Sequence, residues 1–141
     1  MSRDDLTEVQ VPEDERMDPA EFRVIREYLG LTGDWVAGFL RVNPRTVRSW
    51  EQGRDRIPDG VRLRIEQMEA STAETVTSTI DALMDAPDPA VGTYRSDLHY
   101  QAWEPDAGWP ASWHRAVIAR VAAEVPGLVI TYLPDQPPLD G

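Results

Sequence analysis

The chain has 141 residues, 41% of them hydrophobic, with 14 basic and 25 acidic side chains, a formal charge of −11 and no cysteine. That length accommodates one ordinary domain or two small ones, and the apolar fraction suffices for a packed core. Without cysteine there can be no disulfide, thiolate metal site or cysteine nucleophile, and with no signal-peptide pattern or apolar run of spanning length the chain is expected to be soluble and cytoplasmic.

Residues 1–16 are acidic and lack helical or alternating periodicity, which predicts a disordered arm, with Met17 a candidate functional start. Asp18-Pro19-Ala20-Glu21 then supplies an N-cap, a proline at the first helical position and a carboxylate at the third. Phe22, Ile25, Tyr28 and Leu29 recur at helical spacing until Gly30 ends the element.

Two short helices follow, joined by a tight turn. Thr32 is placed to cap the first, and Asn43 the second, with Pro44 where a missing N–H costs nothing. Val36, Ala37 and Leu40 give the first helix an inward face, Val47 and Trp50 do so for the second, and the small Ala37 permits close approach. Arg45, Arg48, Ser49 and Gln52 are left pointing outward before Gly53 stops the helix. Arginine can bridge guanine N7 and O6, glutamine can bridge adenine N6 and N7, and serine can serve either, so this face suits major-groove reading. An amphipathic hairpin with solvated arginines is the plainer alternative, but it requires neither the caps nor the small-residue spacing.

The charge distribution supports the same reading. Seven arginines (41, 45, 48, 54, 56, 62 and 64) face only Glu51, Asp55 and Asp59 between Arg41 and Arg64, a local net of +4, leaving −15 on the remainder. A loop with Arg54 and Arg56 leads to Pro58, which restarts a helix near Asp59. Val61, Ile65, Met68, Thr72, Val76, Ile80 and Leu83 recur at steps of three and four, predicting one long helix to about Met84, with a break near Ala70-Ser71-Thr72 as the alternative.

Asp85-Ala86-Pro87-Asp88-Pro89 is the clearest boundary, since the paired prolines cannot continue a helix. Beyond it, Val91 to Arg95 reads as a strand, Asp97 to Trp103 as a short helix capped by Ser96, Ser112 to Val125 as a longer helix, and Leu128 to Leu133 as a second strand. The fold class is therefore mainly α with a small α+β part. A helix-turn-helix bundle occupies 17–84, a strand-helix-helix-strand dimerisation module 90–134, and a tail 135–141. Two strands around two helices make a small core, which pairing with a second copy would extend. Trp103, Trp109 and Trp113 suit a small core or that interface, to which they are assigned with Val117, Val129 and Tyr132. The tryptophans could instead line a ligand pocket with His99 and His114 as polar groups, making a sensor domain. Those histidines, with Glu104 and Asp106 between them, lack the short spacing of a metal site, so neither metal nor cofactor is expected.

Val36-Ala37, Asn43-Pro44-Arg45-Thr46-Val47 and Trp50-Glu51-Gln52-Gly53 together resemble the Cro/CI-type helix-turn-helix family, with Gly33 standing where that family often has a polar residue. Adding Ile57-Pro58-Asp59 and the C-terminal order of elements, with the Tyr100 to Trp113 region, the chain is similar to anti-CRISPR-associated autorepressors. That resemblance implies an N-terminal half reading an inverted repeat and a C-terminal module forming a homodimer. It also implies that Arg45, Arg48, Ser49 and Gln52 reach bases, while Thr32, Asn43, Thr46, Arg54 and Arg56 reach phosphates.

The sequence thus predicts a dimeric DNA-binding repressor acting on a palindromic operator in double-stranded DNA. An antitoxin is the alternative, its C-terminal half holding a toxin protein while the helix-turn-helix autoregulates. Catalysis is not expected, because no carboxylate pair sits beside a base or a glycine-rich phosphate loop.

Overall fold

The computed structural model describes residues 16–139, and the acidic arm expected over 1–16 lies outside them except for Arg16. The elements in chain order are α1 (Pro19–Tyr28), α2 (Gly33–Leu40), α3 (Pro44–Glu51), α4 (Val61–Leu83), β1 (Ala90–Thr93), α5 (Asp97–Trp103), α6 (Ala111–Glu124) and β2 (Val129–Tyr132). The fold is mainly helical with one small sheet, as the periodicity indicated. Two compact units divide between Ser71 and Thr72, within the uninterrupted helix α4.

In the first unit, α1 begins with a complete capping box: Asp18 accepts from the Ala20 N–H, and Glu21 accepts from the Asp18 N–H. Its inward side buries Phe22 and ends on buried Leu29, whereas Tyr28, expected on that side, is exposed. Phe22 meets Trp50 of α3 edge to face at 5.7 Å, and Val36, Ala37 and Val47 complete a core from which water is excluded. Arg16, placed by sequence at the end of the arm, is anchored instead. Its Nε donates to Asp59 Oδ1 at 2.8 Å, and its carbonyl accepts from Arg62. Asp59 is consequently buried in the loop, and α4 starts two residues later, at Val61, after Gly60 has turned the chain at a φ of +93°.

The second unit holds the latter part of α4 together with β1, α5, α6 and β2. Strands β1 and β2 pair in parallel, Ala90 opposite Val129 and Thr93 opposite Tyr132, with α5 and α6 forming the crossover. The core gathers Val76, Tyr94, Tyr100, Trp113, Val117, Ile118 and Val121. Thr72 is fully buried, and its hydroxyl accepts from the Trp113 indole N–H at 2.9 Å, so neither polar group is stranded. At Gly92 the Leu133 side chain occupies the space that an added Cβ would need.

Candidate nucleic-acid interface

The two caps read from sequence orient the helix pair. Thr32 Oγ1 accepts from the Trp35 N–H at 3.0 Å, and Asn43 Oδ1 accepts from the Arg45 N–H at 2.8 Å, so both side-chain oxygens already hold helix ends. The turn between α2 and α3 is closed by Arg41 in the left-handed region, φ +61°, where its N–H reaches the carbonyl of Gly38. With Val47 and Trp50 turned inward, the opposite side of α3 presents Arg45 and Arg48 exposed and Thr46 and Ser49 half-buried.

These side chains line one concave surface of about 540 Å³. Asn43, Arg45, Thr46, Arg48, Ser49, Gln52 and Arg54 all contribute to it, together with Asp55. Seven of the nine residues assigned to DNA by resemblance are thus brought together; Thr32 and Arg56 lie outside that lining, and both are exposed. Gln52 is the C-cap of α3 and not a residue of its interior. Arg48 lies 3.9 Å from Asp34 of α2, an exposed pair that holds it weakly. The Ser49 hydroxyl, by contrast, donates to Asp55 Oδ2 at 2.6 Å.

Not every arginine of the basic segment belongs to this surface. Arg62 grips Glu21 with two N–H groups at 2.8 and 2.9 Å, and this hydrogen bonding holds the Glu21 carboxyl below its ordinary pKa. Arg64 lies over the Phe39 ring at 4.7 Å, and that ring stacks on Trp35. Glu51, part of the Trp-Glu-x-Gly run, is taken up by Arg26 of α1 through contacts of 2.7 and 2.9 Å, both side chains being nearly buried. This pair locks α3 to α1, and Arg26 also donates to the Leu31 carbonyl. Arg26 was not singled out from sequence, because a lone arginine in α1 gives no hint of a partner 25 residues away.

A family model described as Aca2/YdiL-like matches residues 17–126, most of the chain and all of the helix-turn-helix. The chain belongs to the Aca2/YdiL-like family. It is therefore a helix-turn-helix protein of the anti-CRISPR-associated regulator type. No curated protein matches it.

In the second unit of this Aca2/YdiL-like chain, the residues assigned to a dimer interface separate into two groups. Trp113 and Val117 are covered within the single chain and belong to its core. Trp109 stacks on Trp113 at 4.3 Å, and Trp103 donates its indole N–H to the Pro134 carbonyl at 2.7 Å. Val129 and Tyr132 are exposed, as is Ile130 between them. A cavity of about 340 Å³ beside β2 is lined by Ile118, Ala119, Ile130 and Tyr132 among others, but by none of the three tryptophans and neither histidine. The histidines are engaged elsewhere. His99 Nδ1 accepts from the Arg95 N–H, its Nε2 meets the Pro134 carbonyl, and His114 Nδ1 meets Thr93 Oγ1 at 2.7 Å. No helix among the described residues is long and apolar enough to cross a membrane.

Proposed function

We propose that this chain is a homodimeric transcriptional repressor that binds an inverted repeat in double-stranded DNA through α3, the operator lying in the promoter of its own anti-CRISPR operon. The observation carrying this reading is the convergence of Arg45, Arg48, Ser49 and Gln52 with Arg54 on one concave surface, built on an element capped and packed from behind. Arg45 and Arg48 have the donors to read guanine, whereas Arg54, beyond the end of α3, serves as a phosphate contact. Asn43 and Thr32 cap their helices through oxygen acceptors, which leaves the Asn43 amide N–H groups and the Thr32 O–H as donors for phosphate oxygens. The acidic remainder repels DNA from other faces, so binding weakens steeply with salt only through this one.

The dimer is placed on the exposed apolar stretch of β2, Val129-Ile130 and Tyr132, which an identical copy would cover. Two recognition helices would then enter successive major grooves about 34 Å apart. Selecting bound DNA from a random pool tests the whole reading: a palindrome is the expected product, and no recovered motif overturns it. On that operator, Arg45→Ala should lose about 1–3 kcal/mol against the preferred base at one position per half-site, whereas Arg54→Ala should weaken all sequences alike. Light scattering tests the assembly. Ile130→Asp should give a monomer with much reduced operator affinity, and an unchanged dimer would place the interface elsewhere.

A further inference from the structure

Among the described residues, Asp55 is the one carboxylate lining an otherwise polar and cationic concavity. It stands among Arg45, Arg48 and Arg54, where a negative charge opposes the approach of a polyanion. It is not required to close the loop there. Gly53 at φ +76° turns the chain, the Gly53 N–H donates to the Trp50 carbonyl, and the Arg54 N–H donates to the Ser49 carbonyl at 3.0 Å. What the carboxylate does is take the only proton the Ser49 hydroxyl can donate, across 2.6 Å.

We infer that Asp55 is a specificity-determining residue, which turns Ser49 from a hydroxyl able to serve any base into an acceptor-only reader selecting cytosine or adenine. This rests on the DNA-reading function proposed above. With its proton committed, Ser49 Oγ offers only lone pairs to the groove. The major-groove donors are the cytosine N4 and adenine N6 amino groups, whereas guanine N7 and O6 and thymine O4 are acceptors. Guanine or thymine at the base facing this pair therefore sets lone pair against lone pair. A free serine would accommodate either by rotating its hydroxyl. The charge of Asp55 thus costs some general affinity and supplies discrimination at one position.

The experiment compares full-length wild type, Ser49→Ala, Asp55→Ala and the double variant on the operator selected by the wild type and on its single-base replacements, at fixed salt. The wild type should prefer cytosine or adenine over guanine or thymine by about tenfold at one position of each half-site. Asp55→Ala should erase that preference alone, leave those set by Arg45 and Arg48 intact, and bind non-cognate DNA more tightly. The double variant should be no less discriminating than Ser49→Ala. Retention of the preference in Asp55→Ala, or equal weakening on every operator, overturns the inference while leaving operator reading intact. Failure of the wild type to select any motif overturns the DNA-reading function itself, and this inference with it.

Discussion

Two ion pairs of α1 have the same chemistry and different surroundings. Arg23 and Glu27, four residues apart and both more than half exposed, have water as an equal competitor; replacing Arg23 by alanine should change stability by less than about 0.5 kcal/mol. Arg26 and Glu51 retain only 12% and 11% exposure, and Arg26→Ala would leave a carboxylate beneath the protein surface with no counter-charge. A loss of about 3 kcal/mol is expected, read as a lowered denaturant midpoint with unchanged m value. Because Glu51 ends α3, the same substitution should also weaken DNA binding without altering base preference. Gly38 is the opposite case: it lies inside α2, with nothing within 4 Å of where a Cβ would be. Gly38→Ala should therefore stabilise the first unit by about 0.5–1 kcal/mol in thermal melts.

Helices α2, α3 and α5 were legible because each start carries its own chemistry, Thr32, Asn43 with Pro44, and Ser96, while α6, which has no side-chain cap, was legible to within a residue from its apolar face. The start of α4 was harder. Asp59 has the look of an N-cap but is buried against Arg16, a contact 43 residues away that no local pattern announces. The same limit applies to the interface. Aromatic content alone could not separate Trp113, whose indole is satisfied by Thr72, from Tyr132, which remains outside the core under the Arg95 guanidinium. At the concave surface beside α3, seven of the nine side chains named from sequence come together, whereas Asp55 was left out because it joins them only where the loop folds back onto α3. In the sheet, Gly92 marks an element-level constraint. Gly92→Ala should destabilise the second unit by forcing Leu133 aside, and adding Leu133→Ala should recover part of that loss, giving a coupling measurable in a double-mutant cycle.

For the whole molecule, acid should act on the two units in different pH windows. Burial, with help from the charge of Arg115, pushes the His114 pKa down to about 4 from its ordinary 6.5. Above 6.5 the ring is neutral whether folded or unfolded. As the pH falls from there toward 4, only the unfolded chain takes up the proton, so the second unit loses stability across that interval. The first unit depends on Glu21, whose pKa lies below 4.5 through its hydrogen bonds with Arg62; that contribution is present above 4.5 and is lost only below it. In NMR spectra at raised temperature, the Trp113 indole resonance should lose its native shift at a higher pH than that of Trp50. Simultaneous loss of both signals would contradict this separation.

The register of the parallel pair has a further consequence, for the order of folding events. Ala90 bonds alongside Val129 across a crossover that includes both α5 and α6, so the chain must close a long loop before any strand contact rewards it. The local helical contacts carry no such delay, and they should dominate the rate-limiting step while the strands join afterwards. Stopped-flow measurements on Gly92→Ala are expected to show faster unfolding with little change in the folding rate, whereas Val117→Ala, in the middle of α6, should slow folding. The sheet would then set how long the second unit stays folded, and the helices how quickly it gets there.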